Sequence, residues 1–284
     1  KYSLKVEADT VQTPSGSHNG GIAQKLEGQD VQHLAYGTSS AKSVTLSFWV
    51  RSNKTGVYCC QLQTNHYGGS SQYGHVKEYT ISAANTWEKK ILTFPGLTAQ
   101  TIDTVTGDGL RVLWWLACGS TDHVSADSWI QSASYAATSN QVNFMDSASN
   151  EWYLTGCQLE EGSQASPFEH EQYSVTLAKV QRYFQHHQGN YYTIFLNGNK
   201  DSAHAYLSGS LTQTMRAKPS FSTANTYLYG RPTGVVSYSS AENRCSTSHA
   251  TIGFQSVTGS IPTGDGIRFE SNNSNGYVRY DAEL

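Results

Sequence analysis

Apolar and polar residues alternate along much of the first half of the chain, and this two-residue period is typical of half-buried strands. In Ser43–Arg51 one phase is apolar, at Val44, Leu46, Phe48 and Val50. Further β-rich runs occur at Tyr2–Ala8, Ile91–Phe94, Leu110–Ala117 and Trp152–Leu159. Segments rich in Gly, Asn and Ser separate them. The pattern predicts an N-terminal jelly-roll β-sandwich domain over residues 1–170.

One segment has a helical period instead. Ser174–Gln188 contains no Gly or Pro. Its apolar positions at i, i+3 and i+7 share one helical face; they are Leu177, Val180 and Phe184. Ser174 is suited to the N-cap, and Gly189 is suited to end the helix. We therefore predict one connecting helix at about 174–188, within a connecting region of residues 171–190.

Strand patterns resume after the helix and predict a β-rich distal domain over residues 191–284, so the fold as a whole is expected to be mainly β. Two similar segments occur, Thr106–Val112 (TGDGLRV) and Thr263–Phe269 (TGDGIRF). Asp-Gly favours a tight hairpin turn because both central residues need positive φ. Each segment is predicted to be a hairpin that leads into a strand.

Composition narrows the function classes. Charged residues make up 14% of the chain and the net charge is −3, without a basic run. Nucleic-acid binding depends on basic surfaces, so we expect no nucleic-acid partner. The longest apolar stretch is about Val112–Cys118, far below the ~20 residues that span a bilayer, so we expect no membrane insertion. Residue 1 is Lys, which is compatible with a mature or trimmed chain.

The five cysteines favour free thiols. They include an adjacent pair, and no two have C-x-x-C spacing; they are Cys59, Cys60, Cys118, Cys157 and Cys245. An odd number with this spacing argues against a disulfide framework and a structural zinc site. Free thiols are typical of a protein synthesised in a reducing cytoplasm.

Catalytic motifs are missing from the sequence. It has no G-x-S-x-G, phosphate-binding glycine loop or H-E-x-x-H. Glu160 and Glu161 are neighbours and would point to opposite faces of a strand. We therefore expect no enzyme activity and no cofactor. His186 and His187 are a weak metal possibility, through convergence of three copies on a threefold axis, but we favour their interpretation as charges near a helix C-terminus.

Binding is more plausible than catalysis. Trp49 and Trp115 occupy the outward phase of their strands, where an indole face can stack on a sugar ring; the alternative is that another layer covers them. Two segments have the Tyr, Gly, Ser and Asn composition of adaptable binding loops, Asn65–His75 and Tyr227–Tyr238. The candidate ligand residues in these segments are Tyr67, Tyr73, Tyr227, Tyr229, Arg231 and Tyr238.

Several segments resemble bacteriophage tail-fibre and other virion fibre structural proteins. The resemblance is carried by Gln24–Val50, Asn85–Gly96, Leu154–Glu169 (LTGCQLEEGSQASPFE), Gln181–Phe184 (QRYF), Met215–Pro219 (MRAKP) and Asp281–Leu284 (DAEL). The run from TGCQLEEG through PFE to QRYF is its most specific part. Val180 departs from the Cys often found before Gln-Arg-Tyr, and Val175 and Thr176 replace an acidic position.

The resemblance implies a jelly roll similar to carbohydrate-binding modules, a connecting helix and a distal tip domain. It further implies a homotrimer on the phage particle, at the tail or capsid surface, made in the host cytoplasm. The partners would be other virion proteins and a host surface polysaccharide or receptor. Trimer contacts are expected at Leu177, Val180, Tyr183 and Phe184.

The function expected from this is an adhesin or tail fibre that recognises host-surface glycans. Two alternatives stay open. One is a structural capsid fibre, decoration or connector protein without receptor binding. The other is a carbohydrate-binding module of a glycan-degrading enzyme, which a convergent pair of carboxylates in a groove would favour.

Overall fold

The computed structural model describes residues 2–64, 72–102, 104–131, 136–190, 193–200, 203–230, 234–236, 238–255, 257, 266–271 and 273–283. The chain divides into two compact units, Lys1–His170 (unit 1) and Glu171–Leu284 (unit 2). Strands dominate both units, and the prediction of a mainly β fold is confirmed. Within the described residues, no helix has the length and apolar content to cross a membrane.

Unit 1 is a two-sheet sandwich. Its strands are β1 (Leu4–Glu7), β2 (Asn19–Glu27), β3 (Val44–Ser52), β4 (Gly56–Thr64), β5 (Tyr73–Ile81), β6 (Glu88–Phe94), β7 (Asp108–Cys118), β8 (Trp129–Gln131) and β9 (Glu151–Glu161). A short helix, α1 (Gly28–Val31), follows β2. Three single-turn 3₁₀ helices span Gln32–Leu34, Ser120–Asp122 and Phe144–Asp146.

The strand order is that of a jelly roll. One sheet has the order β1-β9-β3-β6 and the other β2-β7-β4-β5-β8, with antiparallel neighbours throughout. The chain passes repeatedly between the two sheets, as it does in double-sheet jelly rolls. β8 is a short extra strand at the edge of the second sheet.

The alternation in β3 explains how the sandwich closes. Its apolar phase lies in the core between the sheets, at Val44, Leu46, Phe48 and Val50. β4 and β7 contribute their own apolar phases from the opposite sheet, through residues such as Leu62 and Trp114. The other phase of each strand therefore faces outward, which is where candidate ligand residues must be sought.

The described residues of unit 2 form α2 (Tyr173–Gln181) and ten strands. These are β10 (Phe184–Gly189), β11 (Ile194–Lys200), β12 (Ala205–Ser210), β13 (Ser220–Ala224), β14 (Thr226–Gly230), β15 (Gly234–Val236), β16 (Ser240–Asn243), β17 (His249–Gln255), β18 (Gly266–Ser271) and β19 (Gly276–Asp281). They form a seven-stranded sheet, β15-β14-β18-β11-β12-β17-β16, and a three-stranded sheet, β10-β19-β13. One core is shared by both sheets and includes Leu196, Phe254 and Val278.

The predicted helix is wrong at its C-terminal end. α2 ends at Gln181, and Phe184–Gly189 forms a strand that pairs with β19. The N-cap is Gln172, without a side-chain cap, rather than Ser174. The apolar period predicted a longer helix, but residues 184–189 instead alternate between the two faces of a sheet and hydrogen-bond to a strand about ninety positions later in the chain. Tyr183 and Phe184 consequently lie beyond the helix.

The first predicted hairpin is also wrong. Asp108 and Gly109 are the first two residues of β7, so they form no turn, and the preceding strand β6 belongs to the opposite sheet. The strand itself is correctly predicted. In the second segment, residues 263–265 lie outside the described residues, and β18 begins at Gly266.

Candidate functional site

The two tryptophans proposed as sugar platforms lie on different sheets. Trp49 is on β3, in the four-stranded sheet, and 41% of its surface is exposed. Trp115 is on β7, in the five-stranded sheet, and is half-buried. Both belong to the outward phase of their strands. Because their sheets form opposite sides of the sandwich, they cannot contribute to one binding surface.

Trp115 belongs to an ordered polar and aromatic surface on the outer face of the five-stranded sheet. Its indole N–H donates to Gln61 Oε1 on the neighbouring strand β4, over 3.1 Å. Four residues earlier on β7, Arg111 donates from Nη1 to Gln63 Oε1 over 3.4 Å. Gln61 thus holds the indole ring of Trp115. Gln63, two residues later on β4, holds the guanidinium of Arg111, four residues earlier on β7. We call these four residues the β4–β7 face.

Charge on the β4–β7 face is balanced locally. Arg111 Nε lies 2.5 Å from Asp108 Oδ2. The other carboxylate oxygen of Asp108 is buried and has no hydrogen-bond partner within the described part of the chain. Gln61 and Gln63 are buried themselves, so they act by positioning. The accessible groups of this face are the Trp115 indole and the Arg111 guanidinium.

Part of Trp115 packs against the protein. It contacts a small cluster on the outer face of the same sheet, formed by Cys59, Val76 and Ala137. On its other flank β2 comes close at Gly21, where a Cβ would meet Trp115 Cε3 at 3.1 Å and the carbonyl oxygen of Trp114 at 2.4 Å. The ring is therefore fixed in orientation by apolar contacts and by the hydrogen bond to Gln61.

Trp49 lies in a different setting. Its ring lies next to Gly156, where an added Cβ would be 3.2 Å from Trp49 Cδ1. Gly156 has a φ of 59°, a backbone conformation that favours glycine. Phe168, also partly exposed, borders the same glycine. Elsewhere on this face Trp87 packs edge-on against Tyr153, with ring centroids 6.2 Å apart. This sheet has its own polar network around Tyr153, whose hydroxyl donates to Glu151 Oε2 over 2.8 Å while Lys5 pairs with the same carboxylate. Trp49 does not take part in the hydrogen bonds and ion pairs of that network.

The remaining predicted ligand residues of unit 1 do not join Trp115. Tyr73 packs against the core of the sandwich, and its hydroxyl donates to Gln131 Oε1 over 3.3 Å. Tyr67 lies outside the described residues, as does Arg231 in unit 2.

In unit 2 the structure brings two of the predicted tyrosines together. Tyr227 and Tyr229 lie on the outward phase of β14, opposite Glu270 and Arg268 of β18. Tyr238 is separate from them and packs edge-on against Phe254, with centroids 4.7 Å apart. Arg268 was not a candidate residue, although its place in the alternating run Gly266–Ser271 predicts an outward arginine between the apolar Ile267 and Phe269.

The two adjacent histidines do not sit on a helix, so their interpretation as helix-end charges is wrong. They lie on β10 and point to opposite faces, with His186 near Tyr277 and His187 near Tyr280. Burial lowers the pKa of both side chains, and Arg279 lowers that of His186 further. Among the described residues, no group of three or more His, Cys, Asp or Glu side chains is arranged to hold a metal ion.

All five cysteines are free. Cys59, Cys60 and Cys245 are buried, and burial raises the pKa of each thiol. A buried thiol with a raised pKa is a poor nucleophile, so these residues have a packing role.

Comparisons with known proteins leave the function open. No family model matches the chain, and no curated protein matches it. Among solved structures, a mutant of the oxalate decarboxylase OxdC from Bacillus subtilis covers 99% of this chain and 77% of its own, at 10% identity and with a TM-score of 0.10. A TM-score at this level supports no conclusion about fold or function.

Proposed function

We propose that this chain is a fibre component of a bacteriophage virion that binds a host-surface glycan through the β4–β7 face of its jelly roll. The observation that carries the glycan-binding role is the paired positioning of Trp115 by Gln61 and of Arg111 by Gln63. An aromatic ring can pack on the apolar face of a sugar, and a guanidinium can donate to its hydroxyl groups. Both are held before any ligand arrives, which lowers the entropic cost of binding.

The assignment to a phage fibre rests on the sequence segments given above, chiefly the run from Leu154 to Phe184. The jelly roll over residues 1–170 agrees with what that resemblance implies. The virion location is tested by electron microscopy of the virus that encodes the chain, with a gold-labelled antibody against the purified protein. Label at the tail or capsid surface is expected, and particles without label would reject the location.

Homotrimer formation is the second part of the proposal, and α2 supports it. None of its nine residues is buried, and Leu177 and Val180 are 38% and 52% exposed. Tyr173, Leu177 and Val180 follow at spacings of four and three, the spacing of a coiled-coil seam. Helices this short are marginal in water unless an apolar face is covered. Two further copies of the same helix would cover it.

Glycan binding is tested with the full chain on an array of bacterial surface polysaccharides. Trp115→Ala and, separately, Arg111→Gln are each expected to weaken binding at least about tenfold. Trp49→Ala is the matched control, because it removes another partly exposed indole from the opposite sheet. Retained binding in both β4–β7 variants, with normal thermal unfolding, would reject this face as the site.

The same experiment separates the alternatives. If the wild-type chain binds none of the polysaccharides, the receptor-binding role is rejected, and the alternative of a structural fibre or connector is favoured. Release of reducing ends from a bound polysaccharide would favour a part of a glycan-degrading enzyme over an adhesin.

A further inference from the structure

A groove of about 510 Å³ crosses the outer face of the seven-stranded sheet in unit 2. It runs over three adjacent strands, where Tyr229 of β14, Arg268 of β18 and Asn197 of β11 are register neighbours. Further residues that line the groove are Ile194, Asn199 and Gly266. The volume lies within the range of small-molecule sites, about 300–1,000 Å³.

Arg268 is the central side chain of the groove, and two neighbours fix its position. Its guanidinium carbon lies 4.6 Å from the centroid of the Tyr229 ring. Its Nε lies 2.9 Å from Glu270 Oε2, and Glu270 is only 1% exposed. About a third of the Arg268 side chain remains accessible. The guanidinium is therefore held by this ion pair and by the Tyr229 ring, and the exposed part of the side chain can donate to a ligand.

Charge in the groove argues for an uncharged ligand. The Glu270 carboxylate neutralises the charge of Arg268, and the other residues that line the groove are uncharged. An anionic ligand would have to compete with a buried carboxylate for the same guanidinium. Sugar hydroxyls, in contrast, accept from the arginine while donating to the amide oxygens of Asn197 and Asn199, both of which are exposed.

The groove also has an apolar side and open space. Ile194 is 46% exposed at its edge and could contact the C–H face of a sugar ring. At Gly266 a Cβ would meet no atom within 4 Å. Because Gly266 shares the outward phase of Arg268, a side chain added there would project into the groove without meeting the backbone.

We propose that this groove is a second glycan-binding site, separate from the β4–β7 face, and that it takes a neutral saccharide. The inference rests on the proposed function, because it assumes that the ligand is a host-surface glycan. Arg268 and the two asparagines bind the hydroxyl groups, Ile194 contacts the ring, and Glu270 is a positioning residue that keeps Arg268 in place.

The test uses the full chain and the variant Gly266→Tyr, which fills the groove while keeping Arg268 and Glu270. Ser222→Tyr is the control, since Ser222 is exposed on the other sheet of unit 2. Both are measured against neutral and uronate-containing polysaccharides. For at least one neutral glycan we expect Gly266→Tyr to reduce affinity about tenfold or more, while Ser222→Tyr retains it. We expect added salt to change the affinity for that glycan little, because a neutral saccharide forms no ion pair with the protein.

If Gly266→Tyr fails to fold, the double variant Asn197→Ala, Asn199→Ala replaces it, because both side chains are exposed. Unchanged affinity for every neutral glycan would overturn the groove and leave the β4–β7 face in place. Loss of uronate binding alone, with strong salt dependence, would overturn the neutral ligand. No binding of any glycan by the wild-type chain would reject the proposed adhesin function together with this inference.

Discussion

The indole N–H of Trp115 donates to the side-chain oxygen of Gln61 across 3.1 Å, from β7 to the neighbouring strand β4. Trp115→Phe keeps an aromatic ring but removes the donor, so we expect it to lower the free energy of unfolding of unit 1 by about 1 kcal/mol. All six tryptophans precede residue 153, so tryptophan fluorescence during denaturant unfolding reports unit 1 alone.

A double-mutant cycle isolates this hydrogen bond. The cycle combines Trp115→Phe with Gln61→Leu, and the two effects are expected to be non-additive by about 1 kcal/mol. Strictly additive effects would mean that Gln61 does not hold the indole.

His75 makes unit 1 sensitive to acid. Its ring lies edge-on to those of Phe94 and Trp129, both 5.4 Å away. Burial lowers its pKa from 6.5 to about 4, with a smaller contribution from Lys77. Between these two values the unfolded chain binds a proton that the folded chain does not. The free energy of unfolding of unit 1 is therefore highest above about pH 6.5. It falls by about 3 kcal/mol at most as the pH drops towards 4.

His75→Gln removes this titration. Tryptophan-detected unfolding from pH 7 to pH 4 is expected to show a shallower decline in stability for the variant than for the wild type. Parallel pH profiles for the two proteins would contradict the assignment to His75.

Gly37 occupies a position that only glycine fits well. Its φ is 83°, and a Cβ there would lie 2.5 Å from the backbone nitrogen of Thr101. We expect Gly37→Ala to destabilise unit 1 by about 1–3 kcal/mol. Gly20→Ala is the matched control, because a Cβ at Gly20 would meet nothing within 4 Å. Equal thermal unfolding midpoints for the two variants would show that residue 37 carries no strain.

The exposed apolar residues of α2 are expected to hold the proposed trimer together. Leu177→Gln with Val180→Gln should convert a trimer into a monomer in analytical ultracentrifugation, since each substitution removes apolar surface from the seam. Lys179→Gln, at an exposed position of the same helix, should leave the trimer intact. A wild-type chain that sediments as a monomer at micromolar concentration would remove the basis for this prediction.

The sequence predicted strands well where their alternation is local. Val44 to Val50 alternate so regularly that β3 and its core-facing phase follow from the residues alone. The end of α2 could not be predicted in this way. The sequence of Phe184–Gly189 shows no strong alternation of apolar and polar residues. Its strand pairing depends on β19, about ninety residues later in the chain. Tertiary pairing therefore decided the structure of that segment.

The candidate sites were predictable only in part. The outward phase identified Trp115, and its shared phase with Arg111 follows from the two-residue period. Gln61 and Gln63 could not be identified, because nothing in the sequence states that β4 is the neighbour of β7. Arg268 was detectable from its strand pattern, but its pairing with the Tyr229 ring requires the sheet order.

The antiparallel pairing of β1 with β9 determines how unit 1 responds to tension. Leu4 at the start of β1 lies beside Leu154, and Thr155 donates to the carbonyl oxygen of Tyr2 over 2.9 Å. The chain therefore enters β1 beside the middle of β9, which continues for seven residues beyond Leu154, to Glu161. A force that lifts the start of β1 away from the sheet breaks this short ladder one hydrogen bond after another, rather than loading all of them at once. β1 should therefore detach from unit 1 at low force.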